Sequence, residues 1–234
     1  MTGTLYGIGL GPGDPELMTL RAHRLIGSLG VIAYPAPAGG ESFARSIAAE
    51  TIRDDATEIE IAVPMRTERF PAQDIYDSAA RDIAQHLTGG KDVGLLCEGD
   101  PFFYGSFMYV FARLASDFPV EVVPGITSLT ACAAAAGRPL SARNESLAVI
   151  PAPAGRQRLD AAIAANDAIA IIKVGRHLPV VRDAIEAAGR TSRAVYISHA
   201  TLPHQVVCPL ADAPEAPPYF SMVLIGGTDR FAHE

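Results

Sequence analysis

Two carboxylates, Glu98 and Asp100, flank Gly99 and are followed by Pro101 and three aromatic residues, Phe102, Phe103 and Tyr104. They end the apolar run Val93-Gly94-Leu95-Leu96-Cys97, which reads as a buried strand, so the pair lies at a strand's carboxyl end, where open α/β sheets bind ligands. A carboxylate there can hold a ribose hydroxyl or an ammonium group, and the rings can pack on a flat ligand. The same residues also make an ordinary turn, with Asp100 capping a helix and the aromatics filling a core.

Three further turns have this placement. Gly7-Ile8-Gly9-Leu10-Gly11-Pro12-Gly13-Asp14-Pro15 links a strand to a helix, with Asp14 as a candidate N-cap. It is not a dinucleotide fingerprint, because Pro12 occupies the third glycine position, and it lacks the Gly-Lys-Ser/Thr of a phosphate loop. Val122-Val123-Pro124-Gly125-Ile126-Thr127-Ser128 leads into a helix whose first turn offers hydroxyls and free N–H groups. Lys173-Val174-Gly175-Arg176-His177 presents positive charge suited to carboxylates, Arg176 through its planar fork and Lys173 as a point charge. The bland reading of each is a tight or solvated turn. No GxSxG elbow supplies a nucleophile. His199 and His204, and the widely spaced Cys97, Cys132 and Cys208, match no zinc pattern, so no metal is expected.

The elements that must position these turns alternate along the chain as in an α/β protein with mainly parallel sheets. Strands are expected over 5–9, 31–33, 58–61, 93–97 and 120–123, with helices over 15–28, 42–50, 73–87 and 107–115. The pattern restarts after Pro124 with a small-residue helix over 127–136, strands over 147–150, 168–172 and 194–197, and helices over 156–165 and 179–188. Runs 205–208 and 219–225 alternate with period two and have no helix between them, so they read as antiparallel. The organisation is two α/β domains, 1–124 and 125–234, with a ligand cleft expected between them.

Composition narrows the function classes. A hydrophobic fraction of 49% over 234 residues supplies ample core. The net charge of −7 argues against a nucleic-acid surface, which needs Lys and Arg to neutralise phosphates. No run approaches the roughly 20 apolar residues of a membrane span. The start, MTGTLYGIGLGPGD, lacks the positive n-region of a signal peptide. Three scattered cysteines, read as buried small residues, fit a reducing, cytoplasmic setting.

Taken in order, the GxGPGDP-type opening, the Gly99-Asp100-Pro101 turn and the Val123-Pro124-Gly125 segment with Ser128 resemble the tetrapyrrole methylase family. The likeness runs from Tyr6 to Gly226. Ala33-Tyr34-Pro35, Pro64-Met65, the run from Cys97 to Met108, Lys173-Val174-Gly175-Arg176 and Tyr219-Phe220-Ser221-Met222 resemble the branch that methylates C20 of precorrin-2. The resemblance implies the methylase fold, S-adenosyl-L-methionine as methyl donor, a small-molecule tetrapyrrole as substrate and a homodimer. Carried over by position, the donor contacts are Pro12, Glu98, Gly99, Asp100, Phe103, Thr127, Ser128, Val174, Ala200 and Thr201. The polycarboxylate substrate would meet Gly11, Tyr104, Arg66, Arg138, Lys173 and Arg176, with Arg69 and Arg143 as further cationic candidates. The catalytic base is unassigned among Tyr104, Glu98 and His177. Open alternatives are the cobalt-containing form of the substrate, another corrin carbon, and a non-catalytic donor-binding module.

Overall fold

Apolar runs become strands and amphipathic ones helices in the computed structural model of the protein, which describes residues 1–63 and 72–227. The chain forms two compact units, Met1–Thr127 and Ser128–Glu234; the sequence placed the break between 124 and 125.

The first unit runs β1 (Leu5–Gly9), α1 (Leu20–Ile26), β2 (Val31–Pro37), α2 (Phe43–Ile47), β3 (Thr57–Val63), α3 (Ala72–Thr88), β4 (Val93–Cys97), α4 (Phe107–Leu114) and β5 (Val120–Val123). Its sheet has the order β3-β2-β4-β1-β5, every pair parallel. Parallel sheets are covered on both faces. Leu5, Ala33, Leu95 and Cys97 pack with α3 and α4, while Ile8, Ile32 and Leu96 pack with α1 and α2. One helical and one strand expectation change. The helix expected over 15–28 is a 3-10 turn, Pro15–Leu17, capped by Asp14, then an extended Met18 and a new helix capped by Thr19, whose Oγ1 accepts from Ala22 N–H at 3.2 Å. β2 continues through Pro35 and Pro37, beyond the expected 31–33. Beyond Ala33 it pairs only with β3, so a residue without an N–H is tolerated.

The second unit runs α5 (Ser128–Ala135), β6 (Leu147–Pro151), α6 (Arg156–Ala165), β7 (Ala168–Ile172), α7 (Leu178–Ala187), β8 (Ala194–Ser198), β9 (Val206–Pro209) and β10 (Ser221–Ile225). Its sheet has the order β6-β7-β10-β8-β9, parallel only between β6 and β7. β10 is antiparallel to β7 and β8, and β9 to β8, as the period-two runs predicted. Alternation along β7 and β10 sorts the core: Ile169, Ile171, Val223 and Ile225 face α6 and α7, and Ala170, Ile172, Met222 and Leu224 face α5. The small residues of α5, Cys132 and Ala133 among them, let that helix lie close on the sheet. Cys97 and Cys132 are buried as expected, but Cys208 is only partly so, because β9 is an edge strand.

Candidate active site

Register brings together the candidate turns of the first unit. β1 pairs Gly9 with Cys97 of β4 and Ile8 with Val123 of β5, so three strands end at one level and release three turns side by side. These turns meet backbone to backbone. Gly11 N–H donates to the Gly99 carbonyl at 3.3 Å, and Gly99 N–H donates to the Gly11 carbonyl at 2.7 Å. A Cβ on Gly125 would stand 2.0 Å from the Gly99 carbonyl oxygen, and one on Gly9 would stand 2.6 Å from the Gly125 nitrogen. No side chain fits at either position. Close packing of three strand ends therefore accounts for these glycines without a phosphate.

Asp100 fastens the same turns. Its Oδ1 accepts from Phe102 N–H at 2.9 Å and its Oδ2 from Gly125 N–H at 3.0 Å. It does not cap a helix: α4 begins at Phe107 behind Ser106. An ionised carboxylate has about four acceptor positions, so Asp100 retains capacity for a ligand. Glu98 is held differently. Burial pushes its carboxyl above the usual range, and the backbone N–H groups of Glu98 and Ala44 pull it partly back. Ala44 lies in the first turn of α2, where Ser42 Oγ accepts from Arg45 N–H at 3.1 Å and donates to the Pro35 carbonyl at 2.6 Å. Glu98 thus faces the amino end of a helix, which favours negative charge.

Around these groups, Pro12, Phe103 and Thr127 are half-buried and Ser128 is exposed. Phe103 N–H donates to the Asp100 carbonyl at 3.2 Å. Tyr104 stands edge-on to Phe103, with ring centroids 5.2 Å apart, and is exposed. Phe102 packs on Phe107 and Phe111 but is 48% exposed, so it covers the core from outside and does not fill it.

In the second unit β10 lies between β7 and β8, and its first residues sit between the turns that leave those strands. Val174 N–H donates to the Ser221 carbonyl at 3.4 Å, and His199 N–H to the Phe220 carbonyl at 3.0 Å. Lys173, Val174, His199, Ala200 and Thr201 therefore gather around Tyr219–Ser221. Lys173 and Arg176 are exposed, Arg176 Nε approaching His177 Nε2 at 3.5 Å. Ala200 is buried, and Thr201 N–H donates to Gln205 Oε1 at 2.8 Å. The His199 and His204 rings lie 4.3 Å apart, and burial, then the neighbouring His204, lowers the His199 pKa.

Among the described residues, the expected cations are not assembled in one place. Arg138 donates to the Arg193 carbonyl at 3.1 Å, just before β8 begins, and lines a small hollow with Ile169, Ile225 and Gly226. Ala142 to Glu145, the segment holding Arg143, folds on itself beside Gly227, beyond the end of β10. Arg138 and Arg143 thus lie at the end of the sheet where β7 begins, opposite Lys173. The length of a five-residue strand, roughly 16 Å, separates the two groups. Hydropathy patterning reports faces, not ends, and gave no sign of this. Arg66 and Arg69, like Pro64 and Met65, lie outside the described residues. A cavity of about 310 Å³ over Tyr6, Arg21, Arg24, Leu25, Ser28 and Glu121 lies toward the amino end of β1, away from the turns.

Backbone strain marks the turns. Of the five described non-glycine residues at positive φ, four follow these strand ends: Tyr104 (58°), Lys173 (56°), His199 (49°) and Thr201 (74°). Each such residue costs about 1–3 kcal/mol and persists only where its surroundings over-determine it, most often at ligand sites. Ser221, buried at the start of β10, was quoted in the sequence motif but not counted among the site residues. A serine between a Pro-rich loop and an apolar strand was the available signal.

A family model described as Tetrapyrrole (Corrin/Porphyrin) Methylases matches residues 4–214. The chain is 40% identical to the precorrin-2 C(20)-methyltransferase of a Sinorhizobium species, over 96% of both chains. It is 31% identical to the cobalt-precorrin-2 C(20)-methyltransferase of Salmonella typhimurium, over 99% of this chain and 100% of that one. In architecture it resembles the uroporphyrin-III C-methyltransferase of Thermus thermophilus, solved with S-adenosylhomocysteine, at a TM-score of 0.72 and 24% identity over 98% of this chain and 100% of that one.

Proposed function

We propose, from the premise that the chain belongs to the family of tetrapyrrole (corrin/porphyrin) methylases, that it transfers a methyl group from S-adenosylmethionine to C20 of precorrin-2 in cobalamin biosynthesis. The observation that supports the reading is that left-handed, non-glycine residues occur in the strand-end turns of each unit, Tyr104 in the first and Lys173, His199 and Thr201 in the second. The metal-free substrate is favoured over its cobalt form because identity to the precorrin-2 relative is 40%, against 31% for the cobalt-precorrin-2 relative.

The residues present fit a donor that carries an amino acid, a sulfonium and an adenosine, since the turns offer backbone groups and carboxylates and need bind no phosphate. Pro12, Glu98, Gly99, Asp100, Phe103 and Thr127 from the first unit, with Ser128, Val174, Ala200 and Thr201 from the second, are assigned to it. When bound, it supplies a methyl group activated by positive sulfur. Asp100 holds two turns in register, and Glu98 places a carboxyl group at the amino end of α2. Gly11, Tyr104, Lys173 and Arg176 are assigned to the tetrapyrrole, the two cations to its carboxylates. Arg138 and Arg143 are left out, because they stand at the other end of the sheet. The acceptor carbon is electron-rich, so binding two reactants in place carries much of the rate, roughly 7–11 kcal/mol for well-oriented pairs. No nucleophilic side chain is required. A homodimer, which the family likeness implies, is expected to show a light-scattering mass of twice 24.6 kDa.

Incubation with methyl-labelled donor and precorrin-2, with and without cobalt, followed by NMR location of the label, tests the reading. Label at C20 of the metal-free substrate is expected. Label at another carbon ends the C20 assignment, and donor binding with no transfer leaves a binding module.

A further inference from the structure

We infer that Arg138, Arg190 and Arg193 form a docking surface for a short, carboxylate-rich segment of another protein, at the end of the second unit's sheet remote from Lys173. The three come from two segments: Arg138 follows α5, and Arg190 and Arg193 bound the short turn that leads into β8. Each guanidinium is anchored on backbone carbonyl oxygen. Arg190 Nη1 donates to Asn166 at 2.9 Å, just before β7, and Arg138 Nη1 to Arg193 at 3.1 Å, just before β8. Arg193 Nη2 donates to Gly226, just after β10. The anchors therefore run across the sheet end.

A carbonyl has no net charge, so these bonds fix the guanidiniums without neutralising them. Glu145 and Asp167 stand at the same end, and both are committed to their own segments. Asp167 Oδ2 accepts from Ser146 N–H at 2.8 Å and from its hydroxyl at 3.0 Å, and Glu145 Oε2 accepts from Ala142 N–H at 3.0 Å. The bonds from Ser146, and after them the charge of Arg190, hold Asp167 below the usual carboxylate range. Among the described residues neither Arg138 nor Arg193 forms an ion pair. A guanidinium has five N–H groups, so each keeps donors to spare. Held in place, such forks take carboxylates in two-bond geometry and lose little freedom in doing so. The hollow beside Arg138 has a volume of about 10 Å³, room for one water at most, so a small ligand is not enclosed. Arg138 and Pro139 are exposed and Leu140, Arg190 and Arg193 half-buried, and arginine beside apolar residues is the composition of a protein interface. A short acidic segment meets the patch alone. A nucleic-acid strand would extend over the rest of a chain whose net charge is −7.

Fluorescence anisotropy of a labelled deca-glutamate peptide, titrated with the full chain, tests the assignment. At about 0.1 M salt the screening length is about 10 Å, so repulsion from the acidic remainder is damped while contact pairs persist. Saturable binding is expected. Arg138→Glu should raise Kd roughly tenfold, whereas Arg138→Lys, which keeps the charge on an exposed side chain, should stay within about threefold. Lys173→Gln with Arg176→Gln, at the other end of the sheet, should leave the peptide Kd unchanged. Absence of saturable binding, a wild-type Kd in Arg138→Glu, or an equal loss in the Lys173 and Arg176 variant overturns the inference. Tighter binding of single-stranded DNA of the same length overturns it in favour of a nucleic acid. A light-scattering mass that falls in Arg138→Glu shows that a second copy of this chain occupies the surface, and overturns it too.

Discussion

Glu98 and Asp100 are separated by one residue and carry their charge under different constraints. Asp100 spends acceptor capacity on two backbone N–H groups, whereas Glu98 is held above the carboxylate range chiefly by burial. A carboxyl whose folded pKa is raised takes up a proton more readily in the folded chain. The stability it contributes is complete below its ordinary value of 4.5 and is lost as pH rises through the folded value. Glu98→Gln should therefore gain Tm relative to wild type as pH rises across that window, with little difference below it. Melting curves from pH 4 to 8 decide this, and a difference that does not vary with pH rules out burial as the cause. Gly125 makes a sharper demand, because a Cβ there would lie 2.0 Å from the Gly99 carbonyl oxygen. Gly125→Ala should cost about 1–3 kcal/mol, read by denaturant titration, and weaken S-adenosylhomocysteine binding, since the turns must part to admit the methyl group. An unchanged midpoint and Kd would show that the three turns are not tightly coupled.

Elements place these residues through register and caps. Strand ends aligned at Gly9, Cys97 and Val123 bring three turns together, and after β1 the side-chain caps Asp14 and Thr19 set where the helices start. The restart of α1 at Thr19 is a case in point. Pro15 begins a single 3-10 turn, Met18 turns its side chain into the core, and Thr19 supplies the acceptor for the next helix. Thr19→Ala should lower stability by about 1 kcal/mol, a fall of roughly 2–4 °C in Tm. Its methyl-transfer rate at a temperature well below Tm should match wild type. A lower kcat without a lower Tm would mean that α1 takes part in the reaction.

At the scale of the whole molecule, an acidic protein is proposed to bind a polycarboxylate, so the few cations near the turns must dominate that encounter. Lys173→Gln with Arg176→Gln should raise KM for the tetrapyrrole about tenfold and leave Kd for S-adenosylhomocysteine within about twofold. The rise of KM with salt should also be shallower in the double variant. Equal KM values at low salt would remove both residues from the substrate set. Ligand linkage gives a second whole-chain measurement. S-adenosylhomocysteine at one hundred times its Kd should stabilise the folded chain by about 2.7 kcal/mol, visible as a concentration-dependent rise in Tm.

The sequence by itself determined the order of strands and helices, the antiparallel character of the last two strands, and the four turns at strand ends. Those features depend on hydrophobic period and on Gly and Pro, which act over a few neighbouring residues. It also showed that the glycine-rich opening was not a phosphate loop, since Pro12 sits where a third glycine is required. Only the tertiary structure decided what the residues of those turns touch. Asp100 meets Gly125, 25 residues away, because β1 aligns β4 with β5. Ser221 meets Gly175, 46 residues away, because β10 enters the sheet beside β7. Arg138 reads in the sequence as one more cation, yet it stands at the opposite end of its sheet from Lys173. Local patterning fixes which face of an element is buried; strand register and direction fix which ends meet, and a ligand is bound at the ends.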